Sequence, residues 1–328
     1  MKADKKLIAS LVISAIFIFL AVRKVEFGEM WRSMRQANYL YVIPSSAAVI
    51  ASLLIRAVRW RLLLSPIKLI PAKSLIGPTM IGAMGNNLLP ARLGEVVRAD
   101  AIGRKENVSR GASFATIVVE RMVDLFTVLV FLGVVVVFVP FPTEIKTGGY
   151  TMLAISLAGL AFLLFLRVKS ASALKILHYF CRPLPQRLEA RIEKLMLSFV
   201  EGLGILTKAR HMPAIAVLSI LIWLSLTASI LFMFKAFDWG QLSVDAAVVV
   251  LVATAFGVMI PAAPGFVGTF HVSCQLALGL YGIDRASALG YSIVLHATQW
   301  VPVTAIGLIF FITANLSFKD IERVETKT

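Results

Sequence analysis

Cysteine is nearly absent from this chain. Its 328 residues hold two, Cys181 and Cys274, with neither a CxxC pair nor metal-ligand spacing, so no disulfide framework and no redox centre is encoded. Charge is scarce as well: 16% of residues are Asp, Glu, Lys or Arg, against 59% hydrophobic. No GxxxxGK[ST] motif occurs, which argues against ATP-driven work by this chain alone. An aspartate-rich metal motif and a nucleophile–histidine–acid set are also missing, so neither a metal nor an organic cofactor is expected. Acids are outnumbered, 18 against 33 basic residues, giving a net charge of +15. No nucleic-acid-binding motif accompanies that excess, and nucleic acid is not an expected partner.

What is present is apolar sequence, with a mean hydropathy of +0.85. Runs near membrane-span length recur at about 7–22, 39–55, 74–90, 112–139, 150–166, 213–234, 243–260, 266–281 and 286–314. No stretch reads as a separate soluble domain, so residues 1–328 form one membrane domain. Lys2, Lys5 and Lys6 precede the first run, and no small-x-small site precedes Arg23, so that run is expected to be an uncleaved helix rather than a signal peptide.

The loops set an orientation. Residues 56–73 hold Arg56, Arg59, Arg61, Lys68 and Lys73 without an acid, and residues 167–211 are also strongly basic, so both are expected in the cytoplasm. The connections at 140–149 and 236–245 lack that excess and are expected outside. Parity then makes 74–90 and the stretch after it a re-entrant hairpin turning near Pro90. It makes 243–260 and 266–281 a second hairpin, from the opposite side, turning near Pro261–Gly265. The expected fold is an all-α polytopic membrane protein in the cell membrane, with about six full spans and both termini cytoplasmic. It is read as an inverted repeat with halves at 39–139 and 213–314. Residues 23–38 fit poorly, since Arg23, Lys24, Arg32 and Arg35 fall outside by parity. Residues 167–211 form the connector, and within it Leu188, Ile192, Leu195, Phe199, Leu203 and Leu206 recur at helical spacing, as in an amphipathic surface helix.

The two hairpin breaks resemble each other. The first reads Gly85-Asn-Asn-Leu-Leu-Pro90-Ala-Arg92-Leu-Gly94-Glu95, and the second Gly257-Val-Met-Ile-Pro261-Ala-Ala-Pro264-Gly265-Phe-Val-Gly268. In each, a bulky pair and a proline are followed four residues later by a glycine. Paired interruptions in the two halves of a membrane protein point to a transport site, because unwound backbone is tolerated at membrane depth only inside protein or beside a polar cavity. Asn86, Asn87, Pro90, Gly94, Pro261, Pro264, Gly265 and Gly268 are therefore expected along the path.

Charges in apolar segments mark the candidate site, since each costs roughly 2.5–3.5 kcal/mol at a helix centre on insertion scales. After the first break, Arg92, Glu95 and Arg98 are successively one turn apart. A helix starting near Gly94 offers free N–H groups to an anion, and arginine suits phosphate through bidentate bonding. In Val-Val-Glu120-Arg121-Met-Val-Asp124, both carboxylates share one face and Arg121 reaches Asp124 at i+3. Glu120 lies about 15 Å along the helix from Arg110, near the midplane of a roughly 30 Å core. The second half supplies His271 and Gln275 in its hairpin, and His296 and Gln299 on the last long helix.

The segments Asn86-Asn-Leu-Leu-Pro-Ala-Arg-Leu-Gly-Glu-Val-Val-Arg98, Val119-Glu-Arg-Met-Val-Asp-Leu125 and Pro261-Ala-Ala-Pro-Gly-Phe-Val-Gly268, in that order, resemble the lysylphosphatidylglycerol synthase transmembrane family. This is the flippase-like domain of the multiple peptide resistance factor and of stand-alone relatives. The resemblance implies a protein that moves lipids between leaflets, its partner an anionic phospholipid or a polyprenyl-phosphate-linked lipid. The full resistance factor carries a soluble aminoacyl-transferase domain, whereas this sequence ends at Thr328, so no such transfer is expected of it. Two other readings stand beside transport: an accessory subunit for a lipid-modifying or glycan-assembly enzyme, and an enzyme acting on a lipid phosphate. A homodimer, through small-residue stretches such as Gly77 to Gly85, is also open.

Overall fold

The computed structural model describes residues 2–138, 143–170, 186–260 and 263–314. Among them are twelve α-helices and no strand, as apolar sequence in lipid requires, since a helix satisfies its own backbone. They are α1 (Lys2–Val22), α2 (Phe27–Gln36), α3 (Val42–Leu64), α4 (Ala72–Leu88), α5 (Gly94–Glu106), α6 (Arg110–Phe138), α7 (Thr143–Val168), α8 (Gln186–Gly202), α9 (Met212–Ala236), α10 (Val244–Gly257), α11 (Thr269–Gly279) and α12 (Arg285–Thr313). By length and composition, Tyr39–Leu64, Ala209–Ala236 and Arg285–Thr313 are apolar enough to cross a bilayer. Pro261, Cys181 and the chain after Ala314 lie outside the described residues.

Local chemistry explains where helices begin and end. Leu89, ahead of Pro90, is extended (φ −104°, ψ 147°), so α4 stops one residue earlier. Asn107 caps α5 in the left-handed region at φ 52°. Asp284 opens α12 by accepting from the N–H groups of Ala286 and Ser287, both at 2.9 Å. Burial opposes ionisation of that carboxyl, but the backbone donors outweigh it and hold it below the usual range.

The expected segment 39–55 is too short. The helix runs on to Leu64, so Arg56, Arg59 and Arg61 belong to α3 and not to a cytoplasmic loop. Arg59 is fully buried, which is possible only because its charge is matched there. The amphipathic segment at 186–206 is helical to Gly202. It packs on α6, with Val200 buried, while Leu188, Leu195 and Leu197 stay exposed.

One apolar core joins α9, α10, α11 and α12 around Phe234, Tyr291 and Leu295. A second joins α3, α5, α6 and α7 around Trp60, Leu63 and Ile117. α4 lies against α3, α5 and α12. Its crossing with α5 brings backbone onto backbone: a Cβ on Gly94 would meet the Gly82 carbonyl at 2.1 Å and the Asn86 nitrogen at 2.3 Å. At the second crossing, a Cβ on Gly257 would meet the Ser273 side chain and, at 3.0 Å, the Thr269 carbonyl, so α10 and α11 pack closely through a short side chain. Gly94→Ala is expected to destabilise the protein by about 1–3 kcal/mol or more by forcing this crossing apart. Gly133→Ala, inside α6 where nothing lies within 4 Å, should leave the thermal unfolding temperature in detergent unlowered or slightly raised.

A buried arginine–carboxylate cluster facing two helix breaks

Glu120 and Asp124 sit one turn apart on α6, and four arginines converge on them from three helices. From α3, Arg56 Nη1 reaches Glu120 Oε1 at 3.0 Å and Asp124 Oδ2 at 2.6 Å, and Arg59 Nη2 reaches Asp124 Oδ1 at 2.7 Å. From α5, Arg98 grips Glu120 with both terminal nitrogens, at 2.9 and 3.1 Å. From α6 itself, Arg121 pairs with Glu120, with Asp124 at 3.3 Å, and with Glu95 at 3.5 Å. Glu120 and Arg59 are fully buried, and Arg98 and Asp124 nearly so. A charge at such depth requires partners on both sides.

Neighbouring groups hold the arginines in place. The Arg98 guanidinium lies 3.8 Å from the centroid of the Trp60 ring, and Trp60 Nε1 donates to Thr116 Oγ1 at 2.9 Å. Arg59 Nη1 donates to Ser219 Oγ on α9 at 2.8 Å. Arg92, Glu95 and Arg98, spaced one turn apart in sequence, turn to different partners. Arg92 precedes α5 in a left-handed conformation (φ 56°), so Glu95 turns to Arg121 and Arg98 crosses to Glu120.

The two breaks touch. Each is a 3-10 turn, 90–92 and 264–266, and each holds a left-handed non-glycine residue, Arg92 and Phe266 (φ 57°). These strained residues contact one another, with the Arg92 guanidinium 5.6 Å from the Phe266 ring centroid. Arg92 Nη2 also donates to the Val258 carbonyl at 2.9 Å. Gly265 (φ 73°) faces the Asn87 carbonyl and the Trp300 indole nitrogen so closely that a Cβ would lie 3.4 and 3.0 Å away. Gly268 (φ 96°) abuts α1, where its Cβ would lie 2.9 Å from the Ser14 carbonyl. Pro264 opens the second turn.

Between the cluster and the breaks lies a cavity of about 280 Å³. Arg56, Arg98, Arg121 and Glu95 form its charged wall, and Ser52, Thr79, Asn86, Asn87, His296 and Gln299 add polar groups. Glu120 and Asp124 are not on the wall. They stand behind the arginines and leave them facing the cavity. Among the described residues, Thr79 Oγ1, Asn86 Oδ1 and Arg98 Nε have no hydrogen-bond partner. Asn87 also ties the break to α12, donating to Thr304 Oγ1 at 2.9 Å. His271 sits edge-on to His296, ring centroids 5.0 Å apart, off the wall. Gln275 lies elsewhere, donating to the carbonyls of Ala21 at 3.0 Å and Arg285 at 3.2 Å. Arg56, Arg59, Ser52 and Thr79 are site residues that sequence reasoning passed over. The available signal was the spacing of Ser52, Arg56 and Arg59 on one helical face, with Leu62, Leu63 and Leu64 continuing the apolar run.

These features define a helical membrane protein with a cavity lined by arginines together with apolar side chains such as Leu53, Leu226, Phe270 and Trp300. The chain belongs to the family described as the lysylphosphatidylglycerol synthase TM region, whose model matches residues 7–307. It is 23% identical to a UPF0104 membrane protein of Methanothermobacter thermautotrophicus over 314 residues, covering 91% of this chain and 92% of the relative. It is 25% identical to a UPF0104 membrane protein of Methanocaldococcus jannaschii over 233 residues, covering 69% of this chain and 92% of the relative. A third match, 28% identical over 153 residues, is to Glycosyltransferase AglD of Haloferax volcanii. It covers 46% of this chain and 24% of that protein. No solved structure matches the chain.

Removing one side of the cluster strands the other. Glu120→Gln is expected to destabilise the folded protein by about 3–5 kcal/mol, because Arg98 is then buried without a carboxylate, while Arg56 keeps only Asp124. The double variant Glu120→Leu with Arg98→Leu should unfold at a higher temperature than Glu120→Gln alone, as followed by thermal melting of purified protein.

Proposed function

We propose that this protein moves a phosphate-bearing, anionic lipid between the leaflets of a membrane. The observation that carries the reading is the cavity wall: three arginines, held in place from behind by buried carboxylates, face a space walled also by apolar side chains and by both helix breaks. Arginine forks recognise phosphate oxygens, and a cavity of about 280 Å³ suits a headgroup while the acyl chains stay in lipid. Membership of the family and the broken helices support the same reading.

In this reading α4 with α5 and α10 with α11 are re-entrant hairpins entering from opposite sides, within inverted-repeat halves at 39–139 and 213–314. The polypeptide makes about six full spans of the cell membrane, with both termini cytoplasmic. The contact between the breaks lies where hairpins of opposite orientation would meet. Arg98, Arg121 and Arg56 hold the phosphate, and Asn86, Gln299 and His296 receive the rest of the headgroup. Glu120 and Asp124 keep the arginines charged and aimed. Their place behind the wall favours that role over carrying protons.

A second reading is an accessory subunit that positions a lipid-modifying or glycan-assembly enzyme. Two observations favour it: the match to a protein named as a glycosyltransferase, and the exposed leucines of α8, which offer a docking edge. The readings separate in reconstituted liposomes. Under the transport reading, purified protein exchanges a headgroup-labelled anionic lipid across the bilayer. Arg121→Gln, whose side chain is 30% exposed and so tolerates replacement, slows exchange about tenfold, the equivalent of one charge-assisted hydrogen bond. Exchange that is unchanged in Arg121→Gln removes the site assignment. No exchange by the wild type, together with a stoichiometric enzyme partner on purification, favours the accessory reading.

A further inference from the structure

The charges around the cavity do not balance. Five arginines, Arg56, Arg59, Arg92, Arg98 and Arg121, gather with three carboxylates, Glu95, Glu120 and Asp124. The group therefore carries two positive charges in excess. Asp100, the nearest further acid on α5, is taken up by Arg104 and Arg110 at 2.7 Å each. His296 stacks on Phe270, with His271 edge-on to both, and neither histidine brings negative charge.

The excess has a location. Arg92 touches a backbone carbonyl and an aromatic ring, and among the described residues no carboxylate pairs with it. On the wall itself, Arg56, Arg98 and Arg121 outnumber Glu95. Thr79 is 2% exposed and lines the cavity with its hydroxyl unpartnered, and Arg98, 4% exposed, keeps an unpartnered Nε. Surplus positive charge and idle polar groups in a low-dielectric site are both relieved by one ligand, a compact anion of charge near minus two.

We infer that the cavity is built for a phosphate dianion, a lipid phosphomonoester or diphosphate, in preference to the singly charged phosphodiester of ordinary anionic phospholipids. A phosphomonoester carries about −1.5 to −2 at pH 7, matching the excess, whereas a phosphodiester neutralises half of it. A cationic aminoacyl headgroup would leave the surplus uncompensated. The inference rests on reading the cavity as a lipid headgroup site and specifies its substrate class.

The test is native mass spectrometry of the purified full-length chain offered phosphatidic acid, phosphatidylglycerol and phosphatidylcholine with identical acyl chains. The expected result is retention of phosphatidic acid about tenfold tighter than phosphatidylglycerol, the size of one charge-assisted hydrogen bond. Arg92→Gln removes one surplus charge without breaking an ion pair, from a side chain off the cavity wall, and phosphatidylglycerol retained as by the wild type shows that the cavity keeps its shape. The variant should draw the two affinities together. Equal retention of the two anionic lipids by the wild type overturns the dianion inference while the anionic-lipid reading stands. A preference unmoved by Arg92→Gln assigns selectivity to headgroup size and also overturns it. Retention of neither above phosphatidylcholine overturns the headgroup reading itself. Displacement of phosphatidic acid by equimolar glycerol 3-phosphate keeps the dianion but makes the ligand a water-borne phosphomonoester.

Discussion

Glu120 is the carboxylate around which the other charges are arranged. It sits on a long apolar helix with no exposure to solvent and accepts from Arg56, Arg98 and Arg121. Without it three helices would bring like charges together in a medium that screens them poorly. With it, α3, α5 and α6 are tied at one point. Asp124 repeats the arrangement one turn on and extends it to Arg59, which reaches Ser219 on α9. Such a cluster contributes more to defining which helices meet than to net stability, because desolvation offsets much of the attraction.

That arrangement makes the cavity possible. Free arginines in a membrane interior would turn toward the nearest carbonyls or snorkel to water. Here each is gripped on one side by a carboxylate or seated on an aromatic ring, and its remaining donors stay available. Trp60 illustrates the support: its ring carries Arg98 while its indole N–H is held by Thr116. Preorganised donors of this kind need little rearrangement when an anion arrives.

Much of this was legible in the sequence, and what was missed had a physical cause. Proline and glycine at 85–94 and 257–268 marked the breaks because their backbone limits are local. Charges at 92–98 and 120–124 stood out because their cost in an apolar run is local too. Arg56 and Arg59 were read as loop residues because a rule about flanking charge applies equally to a loop and to a helix end. What distinguishes them is a carboxylate more than sixty positions away, as in the pair Arg59 and Asp124. Gln275 has the composition of a site residue but is used to fasten α1 to the start of α12. The left-handed backbone at Arg92 and Phe266 lies at residue types that rarely adopt it, so no propensity announced it.

The glycine contacts at 94 and 257 have a mechanical consequence. Where α4 and α5 cross, backbone meets backbone; where α10 and α11 cross, only the short Ser273 side chain intervenes, so neither pair has room to slide. α4 and α5 therefore form one stiff wedge, and α10 and α11 another. The two wedges touch at their breaks, where the Arg92 guanidinium rests on the Val258 carbonyl and the Phe266 ring and Gly265 lies against the Asn87 carbonyl. That meeting point is weak in energy, one cation–π contact and one hydrogen bond on the order of 1–2 kcal/mol each, set between two crossings that cannot slide.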